Sequence, residues 1–586
     1  MAESITIKIL PEGLSVQARP GELLGEVLTR AAVPLNRYCG GRGLCGKCLV
    51  RIVSGPLPLL EGDEKALLEA RSLTTDHRLS CRYEIRAPAT VEILPGSRAA
   101  AISVLDAGFC PPLTVDPAVK SFSLEIPSPS LASPRAVLDS LRDALGLPHI
   151  VAPLSVVKDI RLPPKNGRFS LTVCLYGENE ILDIETGKSE EDLYGLAVDL
   201  GTSTVVAELL SLVSGKTLSR AVAPNSQITY GADVVSRLSF SFQNSDNLER
   251  LRNSILQLLN GLVSELVAKA AVPRNRICEA VIAANTAMNH ILCGVAVDSL
   301  ALSPFHAVFS RLDPFPASEL GLGLHPRAKA YVVPNIKSFI GGDITAGLAA
   351  SGFAERPGNG LFLDLGTNGE IVLRKGKHLY ATSTAAGPAF EGMSLSCGML
   401  AVPGAVQKAG WDDGFDLKTI DGLPAQGLCG TGLVDIVALS LRQGLLGPDG
   451  KITAPGRKIV LTKSLSLTQQ DIREIQLAVG AVKTGVRMIL REFGVSPGRL
   501  DEFLIAGAFG SSLDVENAGA VGLIPDVPAD AVTFLGNSSL AGARKLLLSA
   551  PDRAAAEGVA RRIEHVSLAS RASFQDEFVG AMTFGR

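Results

Sequence analysis

The stretch Tyr194-Gly195-Leu196-Ala197-Val198-Asp199-Leu200-Gly201-Thr202-Ser203-Thr204 is an apolar run that closes on Asp-Leu-Gly-Thr. It has an echo. At a spacing of 165 residues, counted from Asp199 to Asp364, the chain reads Gly360-Leu361-Phe362-Leu363-Asp364-Leu365-Gly366-Thr367-Asn368-Gly369-Glu370. Each copy is followed by a second β-rich run, Val205-Val206-Ala207-Glu208-Leu209-Leu210 and Ile371-Val372-Leu373-Arg374. The pattern predicts two β-hairpins with glycine at the turn, not a strand feeding a helix. That disfavours the Walker A and dinucleotide-binding arrangements, which also need other glycine spacings. Gly-Thr and Gly-Asn turns present N–H groups and hydroxyls to phosphate oxygens. An Asp at the strand end can hold Mg²⁺ and its waters. The candidate phosphate contacts are Gly201, Thr202, Ser203 and Thr204 in the first copy, and Gly366, Thr367, Asn368 and Gly369 in the second. One copy is a weak signal. Two copies in register could grip a triphosphate from both sides of a cleft.

Cysteine use marks a second kind of chemistry at the N-terminus. Of ten cysteines, four fall in the first 81 residues: Cys39, Cys45, Cys48 and Cys81, with gaps of five, two and 32 residues between them. The loop Cys39-Gly40-Gly41-Arg42-Gly43-Leu44-Cys45-Gly46-Lys47-Cys48 is rich in glycine, which lets the backbone wrap and aim several thiolates at one centre. This is a ferredoxin-type pattern for a 2Fe–2S cluster, one residue longer in its first gap than the plant-type spacing. The five-residue gap is similar to that of adrenodoxin-like ferredoxins. A structural zinc site is the alternative, but zinc sites usually pair two short knuckles and only one is present. The other six, Cys110, Cys174, Cys278, Cys293, Cys397 and Cys429, stand singly and read as small core residues.

The flanks agree. Ile5–Leu10 and Gly13–Ala18 alternate like a hairpin, Glu22–Ala31 reads as a helix, and Thr90–Leu94 as a closing strand. That order resembles the β-grasp ferredoxins. From Arg37 to Arg51 the charges are all basic, Arg37, Arg42, Lys47 and Arg51, which reads either as a solvated loop or as a docking face for an acidic electron partner.

Composition sets the outer bounds. A length of 586 residues predicts about four domains. Lys+Arg of 56 against Asp+Glu of 59 leaves a net charge of −3, which argues against bulk nucleic-acid or membrane-surface binding. No apolar run approaches the roughly 18 residues of a membrane span, and no signal-peptide pattern opens the chain. A cytoplasmic protein is expected. The reading divides the chain into a 2Fe–2S ferredoxin-like domain (1–95), a linker (96–112), a small α/β middle domain (113–190) and a two-lobed domain (191–586, second lobe from about 355). In the middle domain, Val119–Ile126 and Gly167–Leu175 are strand-like, and Ser133-Pro134-Arg135-Ala136 opens a helix with a Ser cap.

The two hairpins resemble those of the ATPase superfamily of acetate and sugar kinases, heat-shock ATPases and actin, in which two ribonuclease-H-like lobes close over ATP. That resemblance implies more site residues. Ser338–Gly347 falls where the family has its first connecting helix, so Asp343 takes the place of the acidic residue near Mg²⁺ and the attacking water. With Asp199 and Asp364 it forms the implied catalytic set. Phe503–Gly510 looks like the adenosine segment, with Gly507 and Gly510 at the close approach. Gly536–Ala543 looks like the second connecting helix. Gly427–Asp435 is a further glycine turn opening a helix, with Gly430 and Thr431 as nucleotide contacts.

Three further segments extend the resemblance over nearly the whole chain: Asn225–Arg237, Asn285–His290 and Leu467–Gln476. They are similar to the reductive activators of corrinoid proteins. The resemblance implies a one-electron reduction of an inactive Co(II) corrinoid on a methyl-transfer protein to Co(I), with a 2Fe–2S cluster, ATP and Mg²⁺ as cofactors. It implies an external low-potential electron donor and a homodimer formed through the middle domain. Co(I) is a strong reductant, so the transfer is uphill from an ordinary ferredoxin centre. For one electron, about 1.4 kcal/mol corresponds to about 59 mV. A nucleotide state worth about 4 kcal/mol in differential docking would shift the gap by roughly 170 mV. The alternatives are an electron-injecting activator of another low-potential enzyme, a kinase of the same superfamily with a fused ferredoxin, and a redox- and nucleotide-sensing binding protein. A dehydratase activator would hold its cluster with cysteines inside the ATPase domain, unlike the N-terminal set here.

Overall fold

The computed structural model describes residues 4–585 except 32, 34, 36–42, 44–45, 71–72, 95–96, 99–112, 132–133, 161–166, 188–191, 232, 393 and 508–512. Cys39, Cys45, Cys110, Gly510 and most of the expected linker therefore lie outside the described residues.

At the N-terminus Ile5–Leu10 pairs antiparallel with Leu14–Ala18 and parallel with Ala89–Ile93, inside a five-stranded mixed sheet. Alternation drives this. Ile5, Ile7 and Ile9 point inward, with Thr6 and Lys8 exposed between them. The helix Leu24–Arg30 lays Leu24, Val27 and Leu28 on the same core. Next comes a three-stranded antiparallel sheet of Val119–Pro127, Arg168–Tyr176 and Glu180–Thr186. Its helix runs Val137–Leu145 from Ala136, which gives no side-chain cap. The expected Ser133 cap lies outside the described residues, and the helix begins later than Ser133-Pro134 would set it.

The rest of the chain forms two lobes of matching topology. In the first, the hairpin Tyr194–Leu200/Thr204–Ser211 is extended by Thr217–Pro224, and Ile277–Ala284 and Lys329–Val332 join in parallel on the other side. In the second, the hairpin Asn359–Leu365/Gly369–Lys375 is extended by His378–Thr384, and Glu502–Gly507 and Val532–Gly536 join in parallel. Both sheets are buried on two faces, which is why their strands read as continuous apolar runs. In the first lobe Leu196, Val198 and Leu200 face the long helix Asn247–Ala270, while Ala197 faces the helix Ser538–Leu548. In the second, Leu361, Leu363 and Leu365 face the helix Gln469–Glu492, and Phe362 faces the opposite layer.

Two helices lie between the lobes. Gly342–Ser351 puts Ala346 into the core beneath the first sheet, and Ile344 and Leu348 into that beneath the second. Ser538–Leu548 crosses it at small residues. A Cβ on Gly542 would lie 2.0 Å from the Ala346 carbonyl oxygen, and one on Gly347 would lie 2.7 Å from Ser538 Oγ. The middle sheet docks on the outside of the first lobe through Val119, Cys174 and Leu182. There Arg553 Nη1 donates to Glu279 Oε1 and to the Tyr176 hydroxyl, each at 2.8 Å. The C-terminal helix Phe574–Ala581 is held against Gln469–Glu492, whose Lys483 Nζ donates to the carbonyls of Thr583 (2.8 Å) and Gly585 (2.6 Å). Among the described residues no helix is long and apolar enough to cross a membrane.

Because the backbones touch where the two helices cross, Gly542→Val should destabilise the paired lobes by about 2–3 kcal/mol. Denaturant unfolding followed by far-UV circular dichroism measures this, and an unchanged midpoint would contradict the close crossing.

Candidate nucleotide cleft and iron–sulfur site

The two hairpin turns close in related ways, the second one residue shorter than the first. Gly201 N donates to Thr204 O and Gly366 N to Asn368 O, both at 3.0 Å, so each turn closes on itself just past its Asp. Parallel neighbours bring the strand ends together. Asp199 is in register with Ala283, and Asp364 with Ala506. Gly507, at φ +105°, follows at the end of its strand, where a Cβ would lie 2.3 Å from Leu365 O. Only glycine fits both the left-handed backbone and this approach.

The carboxylates converge. Asp199 accepts from Asn537 Nδ2 at 2.8 Å and from Ser539 Oγ at 2.7 Å, both at the start of the second inter-lobe helix. Asp343, in the first turn of the other helix, accepts from Ile344 N at 2.8 Å. Burial raises the Asp343 carboxyl to about 7, with the Asp199 charge adding to it. Burial, then the charges of Asp343 and Asp199, raise Asp364 to about 8. Burial also raises Asp199, against the pull of its two hydrogen bonds. A fourth acid, Glu370, is pushed well above the usual carboxylate range by burial and by Asp343 and Asp364. Desolvated like charges of this kind favour protons or a cation.

A glutamate joins the two hairpins. Thr367 Oγ1 donates to Glu391 Oε1 at 2.8 Å, and Ser203 Oγ donates to Glu391 Oε2. A carboxylate thus sits between the hydroxyls of both turns, as a phosphate oxyanion would. The first turn is braced from behind. Asn225 Nδ2 donates to Gly201 O at 2.8 Å, and Asn285 Nδ2 to Thr202 Oγ1 at 3.0 Å. Arg237 is fully buried, donates to the carbonyls of Thr202 and Gly231, and is pushed down to about 9 by burial. Asn225–Arg237 and Asn285–His290, two of the segments singled out in the sequence, are this brace.

Not every expected contact faces the cleft. The Thr431 hydroxyl is buried and donates to Gln407 O at 2.8 Å, at the start of the helix Gly430–Arg442. Glu370, Glu391, Asn537 and Ser539 belong to the site and were not singled out. Glu370 follows the second glycine turn directly. Glu391 lies in Gly387-Pro388-Ala389-Phe390-Glu391-Gly392, and this glycine-rich break after a strand was its only local signal.

In the N-terminal domain Cys48 and Cys81 are both 2% exposed, with their Sγ atoms 3.4 Å apart. That distance is well beyond a disulfide's roughly 2.05 Å. Two buried sulfurs turned toward each other suit neighbouring ligands of an iron–sulfur cluster. Cys174, Cys278, Cys397 and Cys429 are core residues, and Cys293 is partly covered. Lys47, next to Cys48, reaches the second lobe. Its Nζ donates to Gly398 O at 2.6 Å and to Ser396 O at 3.2 Å. The basic loop therefore spends Lys47 within the chain.

Fold and site together define a ferredoxin joined to a two-lobed ATPase of the actin and sugar-kinase superfamily. Family comparison agrees. The chain matches "2Fe-2S iron-sulfur cluster binding domain" over residues 7–86, "RACo linker region" over 111–191, "RACo middle region" over 194–356, and "C-terminal domain of RACo the ASKHA domain" over 358–586. It is 30% identical to the corrinoid activation enzyme RamQ of Eubacterium limosum, with 99% of each chain covered. It is 28% identical to the [Co(II) methylated amine-specific corrinoid protein] reductase of Methanosarcina barkeri, over 67% of this chain and 77% of that one. A solved structure titled reductive activator for corrinoid, iron-sulfur protein is 31% identical, with a TM-score of 0.74, and covers 99% of this chain and 98% of that one. The chain belongs to the family of reductive activators of corrinoid proteins.

The Asp364 carboxyl keeps its proton to about pH 8 in the fold but loses it near 3.8 when unfolded. The fold must therefore lose stability as pH rises through that interval. In metal- and nucleotide-free buffer, the wild-type Tm should fall from about pH 5 to about pH 8. Asp364→Asn should flatten part of that fall. Parallel curves for the two proteins would show that the carboxylates do not interact as described.

Proposed function

We propose that this chain passes one electron from its N-terminal domain to an inactive Co(II) corrinoid methyl-transfer protein, returning it to Co(I), and that ATP bound between the lobes makes the transfer proceed. The observation that carries the reading is the pairing, in one polypeptide, of a buried cysteine pair with a cleft of four acids and two hydroxyl-bearing turns. When bound, the 2Fe–2S cluster supplies one-electron redox chemistry, and ATP with Mg²⁺ supplies differential binding free energy.

Each residue then has a task. Cys48 and Cys81, with Cys39 and Cys45, hold the iron. Gly201–Thr204 and Gly366–Gly369 receive phosphate oxygens through backbone N–H groups and hydroxyls. Asp199, Asp364 and Glu370 would hold Mg²⁺ and its waters, whose charge would favour their ionised form. Asp343, with a carboxyl near 7, holds the attacking water or takes its proton. Gly507 and Gly510 let the backbone approach the nucleoside, and the Gly430 backbone closes that side. ATP need not phosphorylate anything. It must bind one arrangement of the lobes better than the other.

The remaining expectations extend this reading. The electron reaches the chain from an external low-potential donor in the cytoplasm. A homodimer forms through the middle sheet, whose strand Val119–Pro127 is an edge with Phe122 40% exposed.

Anaerobic incubation of the reconstituted whole chain with a Co(II) corrinoid protein, followed by visible spectroscopy, tests this directly. The Co(II) spectrum should give way to Co(I) with ATP and Mg²⁺ present, and at least about tenfold more slowly without them. Cys48→Ala should lose cluster absorbance. Asp199→Asn should keep that absorbance and lose the ATP response. Equal reduction rates with and without ATP would reject the proposal.

A further inference from the structure

The loop after strand His378–Thr384 touches both functional centres. Its Glu391 carboxylate joins the Ser203 and Thr367 hydroxyls across the cleft. Its Ser396 and Gly398 carbonyls accept from Lys47 of the cluster-binding loop. A short mechanical path connects these ends. Gly392 and Gly398 meet backbone to backbone, so that a Cβ on Gly398 would lie 2.4 Å from Gly392 O, and one on Gly392 2.4 Å from Met399 N. With no side chain between them, a shift of Gly392 must be met at Gly398. Ser396 is pinned meanwhile. Asp471, in the first turn of helix Gln469–Glu492, accepts from Ser396 N and Oγ, both at 2.7 Å.

We propose that Glu391 and Lys47 are the two ends of one link, through which nucleotide phosphate releases the ferredoxin domain from the second lobe. The proposal rests on ATP binding in the cleft, and not on which protein receives the electron. Glu391 and a terminal phosphate compete for the same two hydroxyls and repel each other, so phosphate expels the carboxylate. Gly392 moves with Glu391, Gly398 follows, and the Lys47 ammonium loses its acceptor. Lys47 is adjacent to Cys48, so the loop that lets go is the one holding the iron. In sequence that loop is basic, with Arg37, Arg42 and Lys47 and no acid among them, which fits an acidic electron-transfer partner. Lys47 Nζ is otherwise occupied by the Ser396 and Gly398 carbonyls.

Linkage gives the test. If ATP weakens the Lys47 contact, then losing that contact must strengthen ATP binding by the same factor. The protein is the whole chain, anaerobically reconstituted, with cluster absorbance checked in every variant. The ligand is a non-hydrolysable ATP analogue with Mg²⁺. Lys47→Met should tighten the analogue by about fivefold or more in the wild-type background. In a Glu391→Gln background it should change affinity by less than about twofold. In the unsubstituted protein, acylation of Lys47 read by mass spectrometry should be at least about fivefold faster with the analogue than without it. Equal effects of Lys47→Met in both backgrounds, or a labelling rate indifferent to nucleotide, would overturn the link while leaving ATP binding intact. Failure of both wild type and Glu391→Gln to bind the analogue would overturn the nucleotide reading, and the link with it.

Discussion

Four carboxylates, Asp199, Asp343, Asp364 and Glu370, meet at the floor of one cleft, where lost hydration raises every one of them and neighbouring carboxylate charge raises Asp343, Asp364 and Glu370 further. Such a meeting is unfavourable for the isolated fold. The two sheets, the crossed helices and the hydrogen bonds to Asn537 and Ser539 keep the acids there nonetheless. The surrounding design follows from that constraint. Each hairpin delivers an Asp near the end of a largely buried strand, and the inter-lobe helices supply Asp343 and the partners of Asp199.

The close helix crossing matters for the same reason. Gly542 against the Ala346 carbonyl leaves the lobes sharing backbone contact instead of a cushion of side chains. Cores of this kind are close-packed and transmit displacement instead of absorbing it. The proposed coupling of nucleotide to electron transfer needs two discrete states more than a strong contact, because only differential affinity shifts an equilibrium. The loop bearing Glu391 and the carbonyls that hold Lys47 is placed to tell those states apart. It is anchored at Asp471, and that residue's segment was recognisable in the sequence before its task was known.

Legibility tracked the range of the interactions. The two hairpins and the β-grasp order are readable because buried strands are continuous apolar runs and because glycine turns are local. Asp199 and Asp364 stand beside such a signal, whereas Asp343 and the inter-lobe helices are legible only through the family resemblance. The helix expected to open at Ser133-Pro134 begins at Val137, because packing outweighs local capping preference there. Thr431 looked like a ligand contact from its glycine neighbours, yet its hydroxyl is spent on Gln407. Glu391 went unnoticed because nothing near it in the chain says that it spans a cleft.

What the sequence determined alone was the inventory: two phosphate turns, a four-cysteine set, and the order of lobes that resembles one family. Apolar strand runs and glycine turns carry the first within a few residues, and cysteine spacing carries the second. Only the tertiary structure decided that Glu370 joins the acids, that Glu391 stands between the two hydroxyls, and that Lys47 is held by Ser396 and Gly398 rather than offered to a partner. Those contacts join segments as much as 351 residues apart. They exist because folding brings the segments together, and no local rule of propensity or spacing encodes them.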